Sequence, residues 1–566
     1  MASKAPERIQ SENLQAPALW RRSWAAGAML LGIYLVLSLA YDPRGSLGTD
    51  TGGKVATVKV MSERADFDPD VGYWARDLDP DGRFHGLIFT TRYGDRYIQV
   101  TTLPMVLAAR PLWDLGGYRA ALALPMIGGV LAAGGARALA RRLGDGDGFL
   151  TFWVVGLGSP VAVYSLDLWE HTLGLALCTW GVVALFDVAH RSGAIWKTGL
   201  AGAAFGWAFS MRTEAAIYGA ATLVVTLVAM RSRRPLRDLA AMLLLWSGGV
   251  LATVGANLLL ELTVLGEVLR TARAANTASD ALDQLPIRLQ EALITVAGVF
   301  PSADPAALML GAIFAGCLVA AACLASRGHT RSAVVVAASA VGLYLLRLFE
   351  GLGFVPGLLP TTPLAALGLA IGWNKNPIRF VLCCAVAPMP LVFATQYTGG
   401  ALPQWGGRYL LVSGLLLTVV GLAERRALAR SWRVFYLGCA FAITFAGLAW
   451  GVARTQAVGR AIEQLRKLDE PLLVAENGFL PREFGSTYPE QHWFGLSRQS
   501  DREVLYDLID QVPVDRFGVV LSDSETNPPQ LDGWRLVGTV RVPFAGSAEL
   551  TVALFSRAEA APTASE

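Results

Sequence analysis

Charge is what this chain has least of. Of its 566 residues only 16% are Asp, Glu, Lys or Arg, while 53% are hydrophobic; a soluble domain carries about a quarter charged residues. Mean hydropathy is +0.43. Together with repeated apolar runs of bilayer length, this excludes an ordinary soluble enzyme and indicates an integral membrane protein. The net charge of +3 is too small to suggest a nucleic-acid partner. Cysteine is scarce: Cys178, Cys317, Cys323, Cys383, Cys384 and Cys439 fall in apolar stretches, none at metal-ligand spacing with histidine, and read as packing residues. The C-terminal region has none, so it folds without disulfides. A phosphate loop, a dinucleotide glycine fingerprint and a zinc-type His-Glu pair are all missing. A cytoplasmic nucleotide-sugar donor and ATP-driven transport are therefore not indicated. Nor is there an internal repeat to support an inverted-repeat transporter.

What is present is organised by membrane crossings. Residues 1–23 form a polar tail ending in Trp20-Arg21-Arg22, expected to be cytoplasmic, with no small-residue cleavage site before Asp50. The span from Ala25 to Tyr41 therefore reads as an uncleaved first crossing. A long acidic loop follows, the first outer loop of residues 42–117. Within it, Thr51 or Asp50 is placed to cap a helix beginning near Lys54 and ending near Arg64, short and polar enough to lie at the interface. Asp66 to Gly86 reads as loop, and Ile98 to Trp113 as an interfacial or re-entrant element. Further spans are expected from Tyr118–Leu139 onward to Val434–Trp450, including Phe149–Tyr164, Leu359–Trp373 and Phe380–Ala394. Basic clusters recur in every second loop, which by the positive-inside rule gives about thirteen crossings, a cytoplasmic N-terminus and an extracytoplasmic C-terminus. The expected fold class is thus an α-helical polytopic membrane protein with a small C-terminal extracytoplasmic α/β domain. The membrane domain takes residues 24–451 and the α/β domain 452–558, beginning with a separate amphipathic helix from Ala453 to Leu468; residues 559–566 form a disordered tail.

Ionisable groups near a membrane are functional candidates, and the expected topology brings four sets to one outer face. Asp50 and Lys54 share a face if the turn between them is helical. Tyr164-Ser-Leu-Asp-Leu-Trp-Glu170-His171 sets a carboxylate beside an imidazole, which suits acid–base work, phosphate binding or a metal; a helix-capping Glu beside an interfacial Trp is the structural alternative. Arg212 and Glu214 stand where one span ends and the next begins, and an arginine there can grip a phosphate bidentately or merely satisfy helix ends. Gln404-Trp405-Gly-Gly-Arg408-Tyr409 combines backbone NH groups, a cation and flat apolar surface, as phosphate, sugar and isoprenoid require. A turn with interfacial anchors would have the same composition. Arg347 with Glu350 is a weaker fifth set.

Asp50 after the first span, Trp169-Glu170-His171, Arg212-Thr-Glu214 and Gln404-Trp-Gly-Gly-Arg-Tyr409 together resemble the multi-spanning GT-C type glycosyltransferases of bacteria, especially the protein-mannosyltransferase-like and arabinosyltransferase-like membrane proteins. The resemblance runs from Trp24 to Ala423. It implies a cytoplasmic-membrane enzyme that passes a sugar from a polyprenyl-phosphate donor to a glycan, lipid or protein acceptor outside the membrane, with membrane lipid around it. By the same resemblance Asp50 is the catalytic base and Arg408 holds the donor phosphate, with Lys54, Glu170, His171, Arg212, Glu214, Gln404, Trp405 and Tyr409 around the substrate. No metal is obligatory, since the leaving group is already a phosphate; His171 with Glu170 leaves a divalent cation possible. The chain departs from many members, which have two adjacent acidic residues in the first loop, whereas Asp50 stands between two threonines. A lipid-linked glycan flippase and a non-catalytic scaffold are the rival classes. The flippase calls for charges at mid-membrane depth, and the scaffold for a scattering of these residues.

Overall fold

The computed structural model describes residues 7–99, 102–191, 194–269, 285–298, 305–349, 356–373, 375–395, 405–521, 527–544 and 548–558. Among them, six helices are long and apolar enough to cross a bilayer: Ala123–Arg142, His171–His190, Leu236–Leu265, Met309–Ser326, Asn376–Thr395 and Arg430–Lys467. Glu214–Met230 is a shorter apolar helix, and the apolar segments Ser23–Ser38 and Thr330–Leu343 belong to the longer helices Glu7–Ser38 and Thr330–Phe349. That is the make-up of a multi-pass membrane protein.

Two of the runs expected to cross as single spans are broken. The run expected as Phe149–Tyr164 is two helices, Phe149–Leu157 and Pro160–Tyr164. Gly158 leaves the helix, Ser159 accepts a hydrogen bond from the Val161 amide at 3.2 Å, and Pro160 starts the next turn, where its missing N–H costs nothing. The run from Leu359 divides in the same way at Thr362, ahead of Pro363. Hydropathy averages over such breaks; the backbone does not.

After the first span, the helix Thr49–Glu63 starts a turn earlier than expected. Its N-cap is Gly48 in extended conformation, so neither Thr51 nor Asp50 caps it; Asp50 sits in its first turn, where the helix dipole favours a carboxylate. Nor does it lie at an interface. Residues Thr51 to Val58, Val60 and Met61 are all buried, wedged between the bundle and the C-terminal region. The close fit rests on Gly52: a Cβ there would overlap the Arg482 carbonyl, and a Cβ on Gly485 would overlap Gly52.

The long helix Arg430–Lys467 runs without interruption from the bundle into the C-terminal region, so the separate helix expected from Ala453 is its second half. No Gly-Pro or capping signal interrupts it; only the exposure pattern changes. Beyond it, β1 (Leu472–Ala475), β2 (His492–Gly495), β3 (Arg516–Leu521), β4 (Trp534–Pro543) and β5 (Glu549–Arg557) form one sheet in the order β2-β1-β3-β5-β4. β1 lies parallel to β2 and β3, while β5 is antiparallel to β3 and β4. β2 was not expected: four residues, His-Trp-Phe-Gly, give too little alternation to read.

Strand alternation gives this sheet two apolar faces. Leu473, Ala475, Val520, Leu550 and Val552 meet Val458, Ala461, Ile462 and Leu465 of the long helix. Leu472, Val474, Phe517, Val519, Leu521, Ala553 and Phe555 face the other way, against Val71, Tyr73, Phe84 and Leu87 of the first long loop. The loop is fastened there: the Gly495 amide donates to the Phe84 carbonyl at 3.0 Å, Trp74 Nε1 to the Trp493 carbonyl at 3.2 Å, and Arg83 pairs with Asp501 at 2.7 Å. The first loop is a layer of the C-terminal domain.

Gly52→Ala is expected to lower the apparent melting temperature of the purified protein, since a forced backbone contact costs about 1–3 kcal/mol. Gly438→Ala, in open space within the long helix, is the contrast and should be neutral or slightly stabilising. Equal melting temperatures for both variants would refute the tight docking of the helix Thr49–Glu63.

Candidate functional site

Three separate stretches of chain meet at Asp50. Its Oδ2 accepts from Arg408 Nη1 at 2.7 Å, and its Oδ1 pairs with Arg482 Nη1 at 3.1 Å. Arg408 follows Gly406 and Gly407, which take φ of 81° and 68°; this left-handed turn needs glycine and aims the arginine at Asp50. The Gly406 amide is occupied by the Pro356 carbonyl at 2.9 Å. The glycines shape a turn, and of the two amides expected to face an anion that of Gly406 is already bonded. Arg482 comes from the helix Phe479–Glu483 in the C-terminal domain and is 4% exposed. Asp50 keeps 30% of its side chain accessible. Burial alone would raise its pKa, but Arg482, Arg408 and Lys54 outweigh that and hold the carboxyl well below the usual carboxylate range.

A second chain of charges lies one turn away. Lys54 Nζ is 2.8 Å from Glu170, Glu170 is 3.4 Å from Arg212, and Arg212 Nε donates to Glu214 at 2.9 Å. All four side chains are nearly sealed from solvent. Lys54 also reaches the Asp50 carbonyl at 3.4 Å, as the shared helical face requires. Glu170 occupies the N-cap position of the helix His171–His190, but its side chain makes no capping hydrogen bond, and Trp169 is buried, not an interfacial anchor. Buried charges are tolerated only when paired and hydrogen-bonded. Here four cations, Lys54, Arg212, Arg408 and Arg482, face the carboxylates Asp50, Glu170 and Glu214, with the buried Asp167 close by.

Beside these groups lies a small cavity of about 20 Å³, lined by His171, Arg212, Glu214, Arg408 and Tyr409, with Leu175, Leu411 and Val412 as apolar wall. The Tyr409 ring lies 4.9 Å from the Arg408 guanidinium and 5.3 Å from that of Arg212. Trp405 is elsewhere: it stacks on Trp450 at 5.7 Å and covers Gly447, as part of the packing of the long helix. Gln404, Glu350 and the Arg347 side chain lie outside the described residues. Among the described residues no group of three or more His, Cys, Asp or Glu is arranged to hold a metal ion.

Some contributors carried no readable signal. Arg482 is one of 48 basic residues, in a region with soluble character. Asp167, fully buried, accepts from Thr51 Oγ1 at 2.5 Å and Tyr118 Oη at 2.9 Å, tying the start of the Asp50 helix to the bundle. Phe89 takes φ of 68°, a costly conformation for a non-glycine residue; its ring contacts the Arg482 guanidinium at 5.4 Å and Phe479 at 5.8 Å.

No family model matches the chain, and no curated protein does either. Among solved structures, an oligosaccharyltransferase from Archaeoglobus fulgidus in its apo form aligns over 88% of this chain and 69% of its own, at 12% identity and a TM-score of 0.44. A likeness that distant carries no argument about activity.

Lys54→Met leaves Glu170 buried with only the longer Arg212 contact, and should destabilise the protein by about 3 kcal/mol. Adding Glu170→Gln should restore part of that loss. Thermal unfolding of the single and double variants measures the coupling, and a double variant that loses the sum of both single losses would count against a linked pair.

Proposed function

We propose that this chain is a membrane glycosyltransferase that takes a sugar from a polyprenyl-phosphate carrier and passes it to a hydroxylated acceptor on the extracytoplasmic side. The observation that carries the reading is the junction itself. A carboxylate stands between two arginines beside a cavity that presents a third arginine, a tyrosine and an apolar wall. A base, a phosphate grip and a surface for ring and lipid are what such a transfer needs.

In the transfer, Asp50 takes the proton of the acceptor hydroxyl, whose oxygen attacks the anomeric carbon. The bond from that carbon to the phosphate oxygen breaks, and its electron pair leaves with polyprenyl phosphate. Arg408, with Arg212, neutralises the charge that develops on that phosphate, and the sugar leaves with inverted configuration. Because the leaving group is already a phosphate, a metal is not obligatory in this scheme. Arg482 ties the base to the C-terminal domain, which we assign to the acceptor side.

The resting ion pair has a consequence for this chemistry. With both oxygens held by guanidinium groups, Asp50 is a weak base; donor phosphate competing for Arg408 would release Oδ2. Asp50 therefore acts as an internal stand-in for the phosphate, and the base is switched on by donor binding.

Asp50→Asn in the purified protein should cut transfer by roughly 10²- to 10⁴-fold, yet bind polyprenyl phosphate several-fold more tightly, because Arg408 no longer has an ionised internal partner. Normal transfer by this variant sinks the catalytic assignment. The depressed Asp50 pKa also sets a pH profile. The base form persists as pH falls and is lost only on passing below its lowered value, so kcat/KM should show no acid limb from Asp50 above about pH 4. A limb between about pH 5 and 7 would assign the base to another group.

A further inference from the structure

The sheet of the C-terminal region has two edges, and the chain treats them differently. At one, β2 is closed by the first loop: the Gly495 amide donates to the Phe84 carbonyl at 3.0 Å, and His85 forms a β-bridge with Phe494. At the other, β4 is the outermost strand and pairs with β5 alone; among the described residues no strand lies along its far side. β4 is also the longest strand of the sheet, ten residues from Trp534 to Pro543. Along a strand, alternate N–H and C=O groups point to each side. An open edge of this length is a row of unused donors and acceptors on which another extended segment can pair.

The side chains of β4 narrow what that segment can be. Arg535 stands opposite Ser556 and Arg541 opposite Thr551, five residues apart on β5 although six apart on β4, because a bulge between Leu536 and Gly538 takes up one residue. The two arginines therefore project from opposite faces of the sheet. Both are exposed, and no carboxylate occurs between Trp534 and Pro543. Arg541 has only a long contact to Glu549, at 3.8 Å. Between the arginines, Leu536 and Val537 are 45% and 62% exposed. A second copy of this chain paired along the edge would bring two more arginines and still no carboxylate. A lipid surface would leave the backbone row without partners. Charges and a bulge discourage indiscriminate pairing, and the partner they favour is an acidic one.

We propose that β4 is an interaction edge for an extended, acidic polypeptide segment, with carboxylates at positions i and i+5 that meet Arg535 on one face of the sheet and Arg541 on the other. Leu536 and Val537 supply the apolar contact between them. No residue of β4 belongs to the Asp50 junction, so the inference stands apart from the transfer chemistry.

Two labelled ten-residue peptides test it, both alternating Thr and Val, one with Glu and the other with Lys at positions 3 and 8. Binding to the full-length protein in nanodiscs is read by fluorescence anisotropy, and its place by hydrogen exchange of the amides of residues 534–543. The Glu peptide should bind roughly five-fold or more tightly than the Lys peptide, lose that advantage as salt rises, and protect the β4 amides. Arg535→Glu combined with Arg541→Glu should reverse the preference and melt with wild type, since both side chains are at the surface. Equal binding of the two peptides, binding that leaves residues 534–543 unprotected, or no binding by wild type overturns the proposal. So does a folded double variant that still prefers the Glu peptide. Protection of β4 without peptide that grows with protein concentration would assign the edge to a second copy and overturn it as well.

Discussion

One carboxylate shared by two arginines governs how this molecule is put together. Asp50 enters from the first loop, Arg408 from the turn before a late span and Arg482 from the C-terminal domain. Their mutual pairing forms only when all three regions are in register. Removing either arginine leaves a largely enclosed charge short of a partner, and truncating the carboxylate leaves two guanidinium groups facing each other. Such an arrangement is weak evidence for stability, because desolvation consumes most of the attraction. It is better evidence for a site, since a polar cluster of this kind persists where chemistry requires it.

The second ion chain belongs to the same economy of charge. Glu170 stands between Lys54 and Arg212, and Glu214 closes the row. The carboxylates hold cations in place that would otherwise repel one another, in a poorly solvated place where each charge is felt strongly. An anionic group entering the neighbouring cavity meets cations already oriented, so little reorganisation remains to be done on binding.

How much of this could be read from the chain alone depended on where each residue lay. Asp50, Lys54, Glu170, Arg212, Glu214 and Arg408 stood out because a charge at the end of an apolar run has few innocent explanations, and all six converge. Trp405 was a false companion: an aromatic beside Gly-Gly-Arg serves equally well as core, and here it packs on Trp450. Arg482 carried no signal, since an arginine in a polar region is commonplace and only the tertiary fold brings it to Asp50. The bundle and the α/β sheet were legible from hydropathy and alternation. The breaks at Gly158 and Thr362 were lost in averaging, and the docking of the first loop on the sheet was invisible, because it depends on contacts more than 400 residues apart along the chain, such as Trp74 to Trp493.

The helix Arg430–Lys467 is 38 residues long without a break, about 57 Å at the usual rise per residue. One end lies in the bundle and the other carries the sheet, so it works as a drive shaft. Inserting a single residue midway would turn everything beyond it by about 100° and advance it by about 1.5 Å. The sheet, its first-loop layer and Arg482 would swing away from Asp50 together. Along this shaft length is locked to angle, and the chain can change there only by substitution.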